Sequence, residues 1–188
     1  MSRERSSRPV LLARHGQTDD NLEPLRFQGW RDTPLNETGR RQAAELAERV
    51  ASMGIASLWS SDLLRASETA AIVGARLGMR PRLDWRLREG NRGCWEGRLF
   101  EDIGREHPDE LAAYMRAGDE WRFPGGESLG EHQQRVSACV EQIRGTGELP
   151  ALAVSHGGSI RAMLCLSDPR GLAAFHDFEV ANVAVERF

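Results

Sequence analysis

Two short apolar runs, far apart in the chain, end in the same way. Residues 10–13 lead into Arg14, His15 and Gly16, and residues 151–155 lead into His156, Gly157 and Gly158. A run of four or five apolar residues closed by a turn signal reads as a strand buried on both faces. In open α/β sheets, ligands sit beyond the carboxyl ends of such strands, so residues remote in sequence meet there. Glycine lets a backbone approach a ligand closely, and a helix N-terminus just beyond favours an anion. The chain is therefore expected to fold around a sheet edge bearing two histidines.

The intervening segments support this layout. A polar loop over 17–36 precedes a helix at about 37–53, with Ala43, Leu46, Ala47 and Val50 at helical spacing and Gly54 as its stop. Residues 55–60 read as a second strand, and Ser61 or Asp62 as the cap of a helix ending near Gly78. Residues 81–89 alternate Leu83, Trp85 and Leu87 with charged side chains, which predicts a half-covered third strand ending at Glu89. Residues 90–130, rich in Gly, Arg and Trp, read as an excursion over the active-site edge, with one helix at about 100–117. A long helix at 129–144, the strand before His156, a short helix and a last strand near 180–186 complete the pattern. Strand–helix alternation predicts a three-layer α/β/α sandwich with a mostly parallel central sheet, one domain spanning 1–188 with a loose tail at 1–8.

Composition narrows the chemistry. All 25 basic side chains are arginine, so a Walker A lysine, a Schiff-base lysine and a kinase strand lysine are excluded. A net charge of -3 argues against nucleic acid or an anionic membrane as the main partner. Cys94, Cys139 and Cys165 are widely spaced and form no CxxC motif, which suits free thiols in a cytoplasmic protein. The polar N-terminus runs into too few apolar residues for a signal core or a membrane span.

Arginines beside histidines at strand ends suit phosphoryl transfer, which asks mainly for positioning and preorganised positive donors. Arg14 adjoins His15, and Arg65 falls in the turn after the second strand. A guanidinium fork matches two phosphate oxygens at once. A neutral histidine can attack phosphorus from one ring nitrogen if the other is held protonated, and Glu89 is the candidate carboxyl for the leaving group's proton.

The ordered set of motifs resembles the histidine phosphatase superfamily, in its phosphoglycerate mutase-like branch. The matching blocks are Arg14-His15-Gly16 with Thr18 and Asn21, Gln28-Gly29-Trp30, Pro34 to Asn36 with Gly39, and Ser60 to Asp62 with Arg65. They continue through Leu87 to Glu89, Gly93 with Trp95 to Gly97, Pro124 to Ser128, and Ser155 to Gly158. The resemblance implies that His15 is the nucleophile that becomes a phosphohistidine. It implies that Arg14, Arg65 and His156 clamp the phosphoryl oxygens, with Asn21 and the backbone N–H of Gly157 completing the pocket. Glu89 is then the proton donor and later the base for water, Gln28 and Gly29 line the substrate side, and no metal or other cofactor is called for.

Other residues receive blander readings. His107, His132 and His176 match no motif and are expected at the surface; Arg92, Arg98 and Arg122 are expected to face solvent, with a second substrate anion as their alternative role. Trp95, Tyr114 and Trp121 are expected to be packing residues. The segment between Glu89 and His156 is short, without the extra insertion of cofactor-dependent mutases, and the lysine and paired arginines by which mutases hold their substrates have no clear counterpart, so the expectation is a phosphomonoesterase acting on a small metabolite. A primer-dependent phosphoglycerate mutase and a catalytically silent binding module are the alternatives, the latter disfavoured because every core residue is present. The motifs fit a sugar phosphatase, an α-ribazole phosphatase and a broad acid phosphatase equally.

Overall fold

The structure is a computed structural model describing residues 9–188, so the tail expected at 1–8 lies outside the described residues. Five strands form one sheet in the order β3-β2-β4-β1-β5. β1 (Val10–Arg14), β4 (Ala151–Ser155) and β2 (Ser57–Ser60) run parallel, with the two-residue β3 (Arg82–Leu83) parallel at one edge and β5 (Val185–Arg187) antiparallel at the other.

Period-two alternation along β1 divides the core into two faces. Val10 and Leu12 pack with Val136, Val140 and Ile143 of α5 (Leu129–Gly145) and Ile160 of α6 (Gly157–Leu164). Leu11 and Ala13 pack oppositely, against Leu46, Ala47 and Val50 of α1 (Glu37–Ala51) and Val73 of α2 (Leu64–Leu77). Helices thus cover both faces of a mostly parallel sheet, as the alternating pattern predicts.

Local chemistry fixes the ends. Asn36 caps α1 by accepting from the Gly39 backbone N–H at 2.8 Å, and Ser128 with Glu131 forms a capping box on α5. α2 stops at Gly78, which is left-handed at φ 68°.

Four expected elements differ, the last strand, expected near 180–186, being only Val185–Arg187. Neither Ser61 nor Asp62 caps α2; Leu63 occupies that position, and the Leu64 N–H goes to Asp32 Oδ1 at 2.6 Å. The third strand is only Arg82–Leu83, because Asp84 accepts from the Arg86 N–H and closes a 3-10 turn over Trp85–Leu87. Leu83 and Trp85 are consequently exposed while Leu87 is buried. The single helix expected at 100–117 is two, α3 (Phe100–Glu106) and α4 (Pro108–Arg116), since Pro108 lacks the N–H needed to continue a helix but fits the first turn of a new one. Both lie against an aromatic cluster of Phe27, Trp95, Tyr114 and Phe123 that also packs on α6 through Ala162.

Among the described residues no helix is long and apolar enough to cross a membrane.

Candidate active site

The sheet order brings the two histidines together. β4 lies beside β1 in register Arg14↔Ser155, and the His15 N–H donates to the Ser155 carbonyl at 3.0 Å. The next residues, His15 and His156, therefore leave the sheet at the same edge, their ring centroids 5.2 Å apart and tilted by 60°.

His15 is buried, and its Nδ1 lies 2.7 Å from the Gly16 carbonyl oxygen. A carbonyl only accepts, so Nδ1 carries the proton and Nε2 keeps its lone pair. Burial, then the charges of Arg65 and Arg14, hold the ring well below the ordinary histidine range, so it is neutral at neutral pH. Gly16 is required here because a Cβ would stand 2.3 Å from the Gly39 carbonyl oxygen, where α1 packs onto the loop.

His156 is wholly buried behind His15. Its Nε2 meets Ser61 Oγ at 2.9 Å. That hydroxyl has no other acceptor among its hydrogen bonds, so it donates to Nε2 and leaves the proton on Nδ1, a buried atom without a partner. Burial and then Arg65 depress this ring's pKa too.

A cavity opens over His15, walled by Arg14, Asn21, Arg26, Phe27, Gln28, Gly29, Arg65, Glu89, Arg92, Gly157, Gly158 and Arg161. The structure thus gathers every residue expected at the site except His156, which stands behind the wall. Arg14 is anchored by Nη1 to the Val180 carbonyl at 2.7 Å, and Arg65 by its two Nη atoms to the carbonyls of Arg31 and Gly29, each at 2.8 Å. The Nε atoms of both arginines are buried without a partner. Burial lowers both guanidinium pKa values, that of Arg65 to about 10, which still leaves them charged at neutral pH. Thr69 ties the two elements together, accepting from the Gly16 N–H at 3.1 Å and donating to the Arg65 carbonyl at 2.7 Å.

Asn21 spends its side-chain oxygen on the Thr18 N–H and hydroxyl, which leaves its NH2 for a ligand. Gln28 donates to Thr18 Oγ1 at 2.8 Å, and its Oε1 is buried and free. Gly157 begins α6 with its N–H at the helix N-terminus, where partial positive charge collects.

Glu89 is held on several sides. The Gly90 N–H donates to Oε1 at 2.8 Å, the Gly158 N–H to Oε2 at 2.9 Å, and Arg92 Nη2 stands 3.4 Å from Oε1. Burial pushes this carboxyl up, but Arg92, His132 and the two amides outweigh it and bring the pKa to about 2. Its backbone is fixed as well: Trp30 Nε1 and Arg135 Nη2 donate to the Glu89 carbonyl, and Arg135 also binds the carbonyls of Arg86 and Arg88.

Three readings are corrected. Arg92 does not face solvent; its guanidinium lies 4.5 Å over the Phe123 ring and reaches Glu89. His132 is not a surface residue; it is buried with Nε2 2.9 Å from Ser159 Oγ and 3.9 Å from Glu89 Oε1, and burial lowers its pKa to about 4. Its place on α5 facing the sheet was readable from Leu129, Val136 and Val140 at helical spacing. His176 is half-buried, bound to the Tyr114 carbonyl. Arg98 and Arg122 do lie outward, paired with Glu106 and Glu131, and Trp95 and Tyr114 pack in the aromatic cluster with Trp121 against them. Arg26, Phe27 and Arg161 were not singled out at all. Arg161 alone left a signal, standing one helical turn after Gly157 and Gly158 on what becomes the same face.

A parallel α/β sheet with buried arginine donors and a histidine lone pair at its strand ends defines an enzyme of the phosphatase class. The chain belongs to the histidine phosphatase superfamily, branch 1, whose family model matches residues 10–188. It is 38% identical to a probable phosphoglycerate mutase of Salmonella typhi over 184 residues, covering 95% of this chain and 83% of that one. A mycobacterial glucosyl-3-phosphoglycerate phosphatase solved with VO3 superposes with a TM-score of 0.86 at 32% identity, covering 96% of this chain and 90% of the other. The YhfR protein of Bacillus stearothermophilus gives a TM-score of 0.86 at 30% identity, over 94% and 88% of the two chains.

Proposed function

We propose that this protein hydrolyses small phosphomonoesters through a phosphohistidine on His15, without a metal ion. The observation that carries the reading is the His15 ring itself, fixed by Gly16 as the Nδ1–H tautomer and flanked by the buried, partnerless Nε–H groups of Arg14 and Arg65. Nε2 attacks phosphorus, an N–P bond forms and the ester P–O bond breaks, while the departing oxygen takes a proton from Glu89. Arg14, Arg65, Asn21 and the Gly157 N–H receive the equatorial oxygens, and His156 supports them from behind with its Nδ1–H. Water then gives a proton to Glu89 and its oxygen displaces His15, releasing phosphate.

Glu89 serves these two steps differently. At a pKa of about 2 it is ionised in the free site, ready as the base of the second step. A phosphoryl dianion arriving beside it raises that value by like charge and desolvation, which fits it to be the acid of the first. The solved phosphatase crystallised with VO3 and the superfamily membership support phosphate chemistry.

The test is brief incubation with labelled ester after thorough chelation. The expected result is an acid-labile, base-stable phosphoenzyme that His15→Ala lacks; label on serine, aspartate or cysteine, or loss of activity on chelation, would refute the mechanism. The mutase reading draws support from the relative named a probable phosphoglycerate mutase. Incubation with 3-phosphoglycerate and a trace of 2,3-bisphosphoglycerate separates the two, because isomerisation outrunning phosphate release would favour the mutase.

A further inference from the structure

The loop that carries His15 is braced from the far end of the chain. Residues 181–184 make a β-turn just before β5, closed by the Ala184 N–H on the Ala181 carbonyl at 3.1 Å. The third residue of this turn, Val183, has φ 55°, a left-handed conformation that suits glycine or asparagine and strains a β-branched side chain. An asparagine is present, but one residue earlier at 182, where it gives the turn no relief. Val183 is held in place on three sides. Its N–H donates to the Arg14 carbonyl at 3.1 Å, its carbonyl accepts from Arg49 of α1, and its side chain is buried in the cluster with Leu11 and Leu46. Backbone strain enforced this fully is characteristic of functional sites.

What the enforced turn achieves is the placement of Asn182. Its Nδ2 lies 3.0 Å from the His15 carbonyl oxygen and 3.4 Å from Asn21 Oδ1. A carbonyl only accepts, so this atom is the NH2, and its two hydrogens serve the two oxygens at once. Asn21 Oδ1 then receives three donors: the Thr18 N–H at 3.1 Å, the Thr18 hydroxyl at 3.2 Å and Asn182. Reversing the Asn21 amide would set its NH2 against all three. Thr18 orients that amide but sits on the same short loop and moves with it. Asn182 comes from 161 residues away and ties the amide to the nucleophile's own backbone.

We propose that Asn182 is a positioning residue for the phosphoryl site, locking the Asn21 amide to the His15 backbone so that donor and nucleophile meet the anion as one unit. It is not among the residues that wall the cavity, so it acts through these two and not on the ligand. The assignment rests on the proposed function only for placing the anion at Asn21 and His15.

Dilute orthovanadate tests it, since it occupies a phosphoryl site without turnover. Calorimetry would compare wild type, Asn182→Ala, Asn21→Ala and the double variant, with a melting curve for each. Asn182→Ala should bind vanadate about five- to tenfold more weakly, the net scale of one hydrogen bond, and kcat/KM should fall at least as far. In the Asn21→Ala background the same change should cost less than about twofold, because the residue it acts through is gone. Asn182→Asp keeps the shape without the donors and should bind no better than Asn182→Ala. Equal losses in both backgrounds, a lowered melting temperature with unchanged vanadate affinity, or wild-type affinity in Asn182→Asp would each overturn the proposal. If Asn21→Ala binds vanadate as wild type does, Asn21 holds no anion and the proposal falls with it. Coupling between Asn182 and Asn21 in a protein that forms no phosphohistidine would keep the positioning role and lose only the hydrolytic mechanism.

Discussion

Gly158 donates its backbone N–H to Glu89 Oε2 at 2.9 Å, joining the second histidine's loop to a carboxylate 69 residues earlier. The contact depends on the missing side chain, because a Cβ on Gly158 would stand 2.2 Å from Glu89 Oε1 and 2.9 Å from Arg92 Nη2. The start of α6 therefore places the proposed proton donor beside the proposed phosphoryl site.

Gly158→Ala should displace Glu89 while leaving the sheet intact. We expect kcat to fall by about ten- to a hundredfold on alkyl phosphates, in line with misplacing a catalytic group by about an ångström. Steady-state kinetics alongside a melting curve would check this, and an unchanged kcat would mean the carboxylate does not act from this position.

Glu89→Gln should slow esters with poor leaving groups far more than aryl phosphates, whose oxygen departs with little protonation. The carboxylate's amide partners, Gly90 and Gly158, suit a carboxyl oxygen but not an NH2, so a modest loss of stability should accompany the change. A plot of rate against leaving-group pKa that steepens in the variant is the expected readout; parallel plots would remove Glu89 from the acid role.

Arg65→Lys keeps the charge but not the geometry. Arg65 binds the Arg31 and Gly29 carbonyls with its two Nη atoms and offers Nε to the cavity, a set of three directions that an ammonium on a single stem does not reproduce. A loss of about 2–3 kcal/mol in transition-state stabilisation is expected, measured through kcat/KM. Near-normal kinetics would reduce the residue to a structural tie.

His132→Leu should change the acid stability of the fold. His132 has a folded pKa of about 4, depressed from 6.5, so the unfolded chain binds more protons below pH 6.5. Its contribution is thus fully present above about pH 6.5 and is lost as pH falls toward 4, on the order of 3 kcal/mol in all. Leucine binds no proton, so the melting temperature of the variant should decline less steeply over that window. Parallel curves for the two proteins would show that His132 stays accessible to protons when folded.

The sequence by itself determined the sheet and which residues stand at its edge. Apolar runs that end in His15 and His156 specify buried parallel strands, and Arg14, Gly16 and Gly157 sit next to them in the chain, where local spacing cannot separate them. The same locality made α1, α5 and the stop at Gly78 readable, since caps and helical periodicity act within a few residues. Tertiary structure decided what depends on a partner distant in sequence. Arg92 looked like any surface arginine until the aromatic cluster and Glu89 enclosed it, and His132 looked idle until α5 turned it toward Ser159. The α2 cap went to Asp32 and not to its neighbours for the same reason. Short-range patterns fix which elements form, whereas burial and charge pairing arise only when β4 inserts between β2 and β1 and the loops above close around one cavity.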